Sequence, residues 1–230
     1  MTVVFFDLET TGLSTKTDQI TQIAAKTRCG TKKFITYVNC SKEISAGSSR
    51  VTGITRDTVK DAPQTKVVLE EFIKWLSQME KPVTLVAQNG ERFDFPVLIA
   101  ECIHNGIPVT DLPIDNFFDS LVWCRYYYKA HEMIMDPITK RQSYKLGNIY
   151  KVVTGKDLDG AHDAMIDVDA TITVCKPCDD YFGVGSISVS DAIEKHKRAL
   201  FGMELKITSK SRMSNIRSGT IMDFLNKTKR

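Results

Sequence analysis

No apolar run in this sequence approaches the roughly 20 residues that a membrane-crossing helix needs, and no signal peptide stands at its start. The expectation is an intracellular protein, of nucleus or cytoplasm, with no membrane partner. Its six cysteines (positions 29, 40, 102, 124, 175 and 178) lack the spacing of a disulfide framework and read as reduced thiols. Cys175-Lys176-Pro177-Cys178 is a lone CxxC: a zinc site would need a second pair, and a redox motif would open a helix after a strand. There is no internal repeat and no low-complexity tract.

What is present fits one domain with appendages. The 230 residues are 42% hydrophobic and 26% charged, enough for a core under an ordinary polar surface. The net charge of +3 is unevenly placed. Residues 1–184 carry 21 Lys/Arg against 24 Asp/Glu, whereas residues 185–230 carry 10 against 4. A basic end suits a polyanion or an acidic partner surface, and the acidic body admits nucleic acid if metal ions neutralise it.

The chain is organised around Phe5-Phe6-Asp7-Leu8-Glu9-Thr10-Thr11-Gly12-Leu13. The β-branched and aromatic residues 3–8 predict a buried strand, which Thr10-Thr11-Gly12 ends. On a strand, Asp7 and Glu9 point to the same face. Two acids there repel one another and lose hydration, costs that a cation would relieve; a strand end meeting solvent is the other reading. Residues 19–28 and 32–40 predict two further strands of an antiparallel meander, and 41–63 a loop. An amphipathic helix over 65–79 and an apolar strand over 83–87 follow, so the class is α/β. The Asn89-Gly90 turn feeds a helix running to about His104, with Asp94 in its first turns. Residues 116–121 predict a short strand, and 123–130 a helix. Residues 143–154 predict a helix capped by Ser143 and ended by Gly155. The last core helix starts at Ala161 and holds His162 and Asp167. The domain is then expected to span 1–182. A basic linker with a short helix covers 183–217, and a tail covers 218–230.

Asp7, Glu9, Asp94, Asp167 and His162 together suit two-metal phosphodiester hydrolysis. Hard oxygen ligands select Mg2+ or Mn2+, and a neutral imidazole can take the proton of the attacking water.

On these segments the sequence resembles the DEDDh (DnaQ-like) 3′→5′ exonucleases, and is most similar to their TREX branch. The likeness rests on the motif around Asp7 and Glu9 and on Asn89-Gly-Glu-Arg-Phe-Asp-Phe-Pro-Val-Leu98. Ser143-Tyr-Lys-Leu-Gly-Asn-Ile-Tyr150 and the His162-x4-Asp167 spacing complete it. It covers roughly residues 3–180. It implies a ribonuclease H-like fold with a five-stranded mixed sheet flanked by helices. It also implies two Mg2+ (or Mn2+) ions: Asp7 bridging both, Glu9 and Asp167 on the nucleophile side, and Asp94 on the other. His162 would be the general base. Thr10, Thr11 and Leu13 would bind the 3′-terminal nucleotide, Leu13 as a wedge. The implied substrate is single-stranded DNA or the 3′ ends of duplex DNA, and the implied assembly a homodimer. Two positions depart from the branch, which has His at Gln88 and Tyr at Phe93; Phe93 keeps a ring but loses a hydroxyl that reaches the scissile phosphate. As in that branch, a basic pair, Lys140 and Arg141, precedes the Ser-Tyr segment and is expected to touch the nucleic-acid backbone. An exoribonuclease with the same chemistry and an inactive nucleic-acid-binding module are the rival readings.

In the tail, Ile221, Phe224 and Leu225 share one face of a helical turn before a basic end. The pattern is similar to the sliding-clamp (PCNA) interaction motif, with Ser218 in place of its Gln. Packing back onto the chain's own domain or a dimer partner is the alternative.

Overall fold

Strand β1 (Thr2–Thr10) runs through the middle of the sheet and its residue parity sets the layers on either side. A computed structural model describes residues 1–131, 134–178, 182 and 185–201. Antiparallel to β1 lies β2 (Ile20–Thr27), followed outward by the antiparallel edge strand β3 (Lys33–Tyr37). On the other side β4 (Val83–Ala87) and β5 (Asn116–Asp119) are parallel to β1, and β6 (Ile187–Ser188) closes the order β3-β2-β1-β4-β5-β6 antiparallel to β5. Parallel neighbours require crossovers. Helices α1 (Ala46–Thr52), α2 (Arg56–Val59) and α3 (Thr65–Leu76) provide the first, and α4 (Asp94–His104) the second. Helices α5 (Ser120–His131), α6 (Leu146–Thr154), α7 (Ala164–Val174) and α8 (Val189–Phe201) complete the fold. None of the described helices is long and apolar enough to cross a membrane.

Alternation along β1 splits the core in two. Val4, Phe6 and Leu8 pack on α3 and α4 with Phe72, Phe95 and Leu98. Val3 and Phe5 pack on the other layer with Phe118, Ile149, Val168 and Phe182. Asp7 and Glu9 have the parity of Val3 and Phe5, so they emerge on the α7 side at the strand's C-terminal end. Phe95 ties the first core together: it is fully buried, stacks on Phe6 at 5.9 Å and meets Phe117 at 4.4 Å. Phe95→Ala is expected to cost about 3–5 kcal/mol of stability in urea unfolding, the usual range for deleting a buried ring.

The α/β class and mixed sheet are as expected, with corrections. The sheet has six strands rather than five, because β6 is only two residues long and leaves no periodic signal. Residues 41–63 hold two helices capped by Ser45 and Thr55, too short to show a hydrophobic stripe. Helix α6 starts at Leu146, not Ser143, and its N-cap Lys145 makes no side-chain capping bond. Helix α7 starts at Ala164 because Asp163 caps it, accepting from the N–H groups of Met165 and Ile166. The packed unit also continues beyond residue 182: β6 joins the sheet, and Ala192 and Ile193 of α8 are buried in the first core. Residues 202–230, including Ile221, Phe224 and Leu225, lie outside the described residues.

Candidate active site

Four carboxylates from three distant segments converge at the C-terminal end of β1. Glu9 is buried and Asp7 half-buried on the strand itself. Asp94 comes from the first turn of α4, on the opposite side of the sheet, and is 3% exposed. Its Oδ1 accepts the N–H of Leu8 at 3.2 Å, which fixes it against β1. Asp167 lies in the first turn of α7. That helix is docked on β2 by the Ala164 N–H to Gln22 Oε1 bond (3.4 Å) and by Lys26 and Asp169, 2.7 Å apart.

His162 precedes α7 in the left-handed region, at φ +71°, and is exposed. Its N–H donates to Asp167 Oδ2 at 3.0 Å. The turn before it needs glycine: Gly160 has φ +75°, and a Cβ there would meet Ile166 Cδ1 at 2.5 Å. Side-chain ligand atoms of Glu9, His162 and Asp167 lie within 4.8 Å of one another.

Burial dominates the electrostatics of this group. It holds Asp7 well above the usual carboxylate range, with Asp94, Glu9, Asp167 and Asp163 adding repulsion. Glu9 is pushed up to about 8, first by burial and then by Asp167 and Asp94. Asp94 is pushed up to about 7 by burial, against the bonds it accepts from its own N–H and that of Leu8. Burial also raises Asp167, opposed by the His162 N–H and imidazole. A set of oxygen ligands that resists full ionisation by itself fits a hard divalent cation.

A test without metal follows from the sign of these shifts. A carboxyl raised in the folded state contributes stability below its unfolded pKa and loses it as pH rises through the folded one. For Glu9 that window runs from 4.5 to about 8. In chelator, Glu9→Gln is expected to melt above wild type at pH 8, and the two melting temperatures are expected to converge toward pH 4.5. A gap independent of pH would contradict the cost of burying this charge beside Asp167 and Asp94.

The five residues open into a cleft of about 920 Å3, which Thr10, Thr11, Leu13 and Phe93 also line. Leu13 is 88% exposed at the mouth. Its loop is held by Asp18, whose Oδ1 accepts the Thr11 hydroxyl (2.9 Å) and whose Oδ2 accepts the Ser14 N–H (2.7 Å); Lys42 Nζ pairs with Oδ1 at 2.6 Å. A second cleft of about 900 Å3 shares Gln88, Asn89, Leu146, His162 and Asp167 with the first. The exposed cations Arg92, Arg125 and Lys145 line it. The first arm is acidic, the second basic, and they meet at His162 and Asp167. Lys140 and Arg141 line neither arm; they sit on an exposed turn, with the Asp136 N–H bonded to the Arg141 carbonyl at 2.8 Å and Lys140 at φ +55°. The basic arm had no sequence signal, because its three cations stand far apart on separate elements.

A family model described as an exonuclease, RNase_T, matches residues 4–175. Human three-prime repair exonuclease 1 is 28% identical over 206 residues, covering 76% of this chain and 63% of that protein. The PolC-type DNA polymerase III of Streptococcus pneumoniae is 32% identical over 174 residues, covering 74% of this chain and 10% of the polymerase. The chain thus spans less than two thirds of the length of either relative. Among solved structures, the zinc-bound complex of Escherichia coli exonuclease I with single-stranded DNA superposes with a TM-score of 0.63 at 21% identity, over 79% of this chain and 42% of that one. The same enzyme with a dA16 oligonucleotide gives 0.64 at 22%, over 76% and 41%. At these identities the two structures show a shared fold.

Proposed function

We propose that this chain, which belongs to the RNase_T exonuclease family, hydrolyses DNA from 3′ ends and releases 5′-mononucleotides with the help of two Mg2+ or Mn2+ ions. The convergence of four buried or half-buried carboxylates, all raised, at the end of β1 carries this reading. Asp7, Glu9, Asp94 and Asp167 would hold the ions. When bound, divalent cations supply Lewis-acid activation of water and neutralise charge on the phosphoryl oxygens. An unprotonated imidazole nitrogen of His162 takes the proton of the attacking water; the ring's exposure and its nearness to Glu9 and Asp167 support that role. Leu13 offers an apolar face to the terminal base, with Thr10, Thr11 and Phe93 forming the wall behind it. Arg92, Arg125 and Lys145 take the phosphates of the remaining strand in the basic arm. Lys140 and Arg141 reach the backbone further out, from their turn. DNA is taken as the substrate on the likeness to a PolC-type DNA polymerase III and to exonuclease I in complex with single-stranded DNA.

The test is digestion of 3′-labelled single-stranded DNA, duplex DNA and RNA in parallel, with and without chelator. Loss of the DNA label that chelator abolishes is expected. Absence of any chelator-sensitive release would overturn the reading, and faster release from RNA would reassign the substrate. Replacing Arg92, Arg125 and Lys145 together by Ala is expected to raise KM and to flatten the slope of log KM against log salt by about 2, at about 0.7 per phosphate contact on a single strand. The tail is proposed to dock on a sliding clamp through Ile221, Phe224 and Leu225. A peptide of residues 214–230 is expected to bind a clamp more tightly than about 1 mM and to lose binding with Ile221→Ala and Phe224→Ala.

A further inference from the structure

The loop that delivers Asp94 to the site is an unusual piece of backbone. It leaves β4 at Gln88, passes through Asn89 in the left-handed region (φ +62°), and reaches α4 by way of Phe93 at φ −134°, ψ −72°. Gly90 is pressed into the core: a Cβ there would meet Phe95 Cζ at 2.5 Å and Ala87 Cβ at 2.8 Å. Helix α4 begins without a side-chain cap. Asn suits the left-handed position, and the Arg92 N–H to Asn89 carbonyl (3.1 Å) and Phe95 N–H to Gly90 carbonyl (3.0 Å) bonds close the loop's turns, but neither ties the loop to the sheet.

Asp119, at the end of β5, supplies that tie. It is 7% exposed and lines neither arm of the cleft. Its Oδ1 accepts the N–H of Asn89 at 3.1 Å and that of Leu121 at 2.8 Å, and its Oδ2 accepts the N–H of Glu91 at 3.1 Å. One buried carboxylate therefore pins two loop amides to the strand beside it. The next residue helps: Ser120 Oγ donates to the Ala87 carbonyl at 3.1 Å and to Gln88 Oε1. On the solvent side, Lys195 Nζ of α8 lies 2.7 Å from Glu91 Oε2. The loop is held from within and from without, three residues ahead of Asp94.

We propose that Asp119 is a positioning residue: by holding the amides of Asn89 and Glu91 it sets where the Asp94 carboxylate stands. The inference rests on the metal-dependent reading given above. Without Asp119 the two loop N–H groups lose their acceptor and Asn89 has less reason to stay left-handed. Asp94 would then keep the bonds from the Leu8 N–H and its own N–H, but on a loop no longer tied to β5 through its amides. Partners that orient a metal-holding group in this way are typically worth about 10–100-fold in metal affinity or activity.

The test compares wild type with Asp119→Asn and Asp119→Ala in full-length protein. Three quantities are read: kcat and KM on 3′-labelled single-stranded DNA, Mn2+ affinity by calorimetry without DNA, and melting temperature in chelator. In Asp119→Asn the amide NH2 faces the Glu91 N–H, donor against donor, while the remaining oxygen still serves Asn89 and Leu121. Both kcat and Mn2+ affinity are expected to fall by roughly 10–100-fold in Asp119→Ala and less in Asp119→Asn, with KM within about twofold of wild type. Excess Mn2+ is expected to restore part of the rate. Should the Ala variant not fold, the near-isosteric Asn variant decides alone. A lower melting temperature with kcat and Mn2+ affinity within about twofold of wild type would make Asp119 merely structural and overturn the inference. Wild-type protein that binds no Mn2+ would overturn the metal reading as well, so the two failures are told apart.

Discussion

Asp7→Asn is expected to lower the rate of 3′-end hydrolysis by at least ~10³-fold, about 4 kcal/mol of transition-state stabilisation, and to raise the melting temperature of the metal-free protein. The amide keeps the volume of the carboxyl, so β1 and its pairing with β2 and β4 have no reason to change. What changes is charge. Burial is the first cost of the Asp7 charge, and Asp94, Glu9, Asp167 and Asp163 add repulsion. Without metal that charge is a cost; in the proposed chemistry it would be the central attraction for divalent ions. Stability and activity should therefore move in opposite directions, which a folding defect cannot mimic. Single-turnover rates on 3′-labelled single-stranded DNA, beside thermal melts in chelator, read both. A rate near wild type would end the proposed chemistry.

For His162→Ala the expectation is a rate reduced by ~10²–10⁴, with binding of single-stranded DNA preserved. The ring is exposed and is not part of either core, so removing it should cost little stability. The bond from His162 to Asp167 comes from the backbone N–H, which alanine retains. The left-handed φ is less comfortable for alanine, and His162→Asn controls for that, since Asn tolerates the conformation. Rates that fall equally in both variants with unchanged DNA affinity would fit proton transfer by the imidazole. Equal losses of rate and affinity would instead make His162 a positioning group for substrate.

How much of this was legible beforehand varied with the physics of each segment. The period of two in β1 placed Asp7 and Glu9 on one face, and the structure has them there. The Asn89-Gly90 turn correctly announced the start of α4, because a left-handed residue followed by glycine has few other uses. Helix starts were harder. Ser143 and Ala161 were expected to open α6 and α7, yet the helices begin three residues later, behind Lys145 and Asp163, where local capping competes with tertiary packing. Short elements escaped altogether: α1, α2 and β6 carry too few residues for a period to emerge. The basic arm escaped for another reason. Arg92, Arg125 and Lys145 belong to three different elements and only the fold makes them neighbours. Asp119, equally, is one acid at a strand end until its three amide partners are seen.

The separation along the chain of the groups that meet at the site has a consequence for how the protein is made. Leu8 and Asp94, joined by a hydrogen bond, are 86 residues apart; Gln22 and Ala164 are 142 apart, and Lys26 and Asp169 143. Such a centre has high contact order and pays its loop-closure entropy before any of its bonds can form. As the chain leaves the ribosome, β1 emerges with its two acids long before α7 exists to cover them. Until then Asp7 and Glu9 stand without Asp167, which α7 carries. The four carboxylates of the site can meet only once α7 docks across β1 and β2.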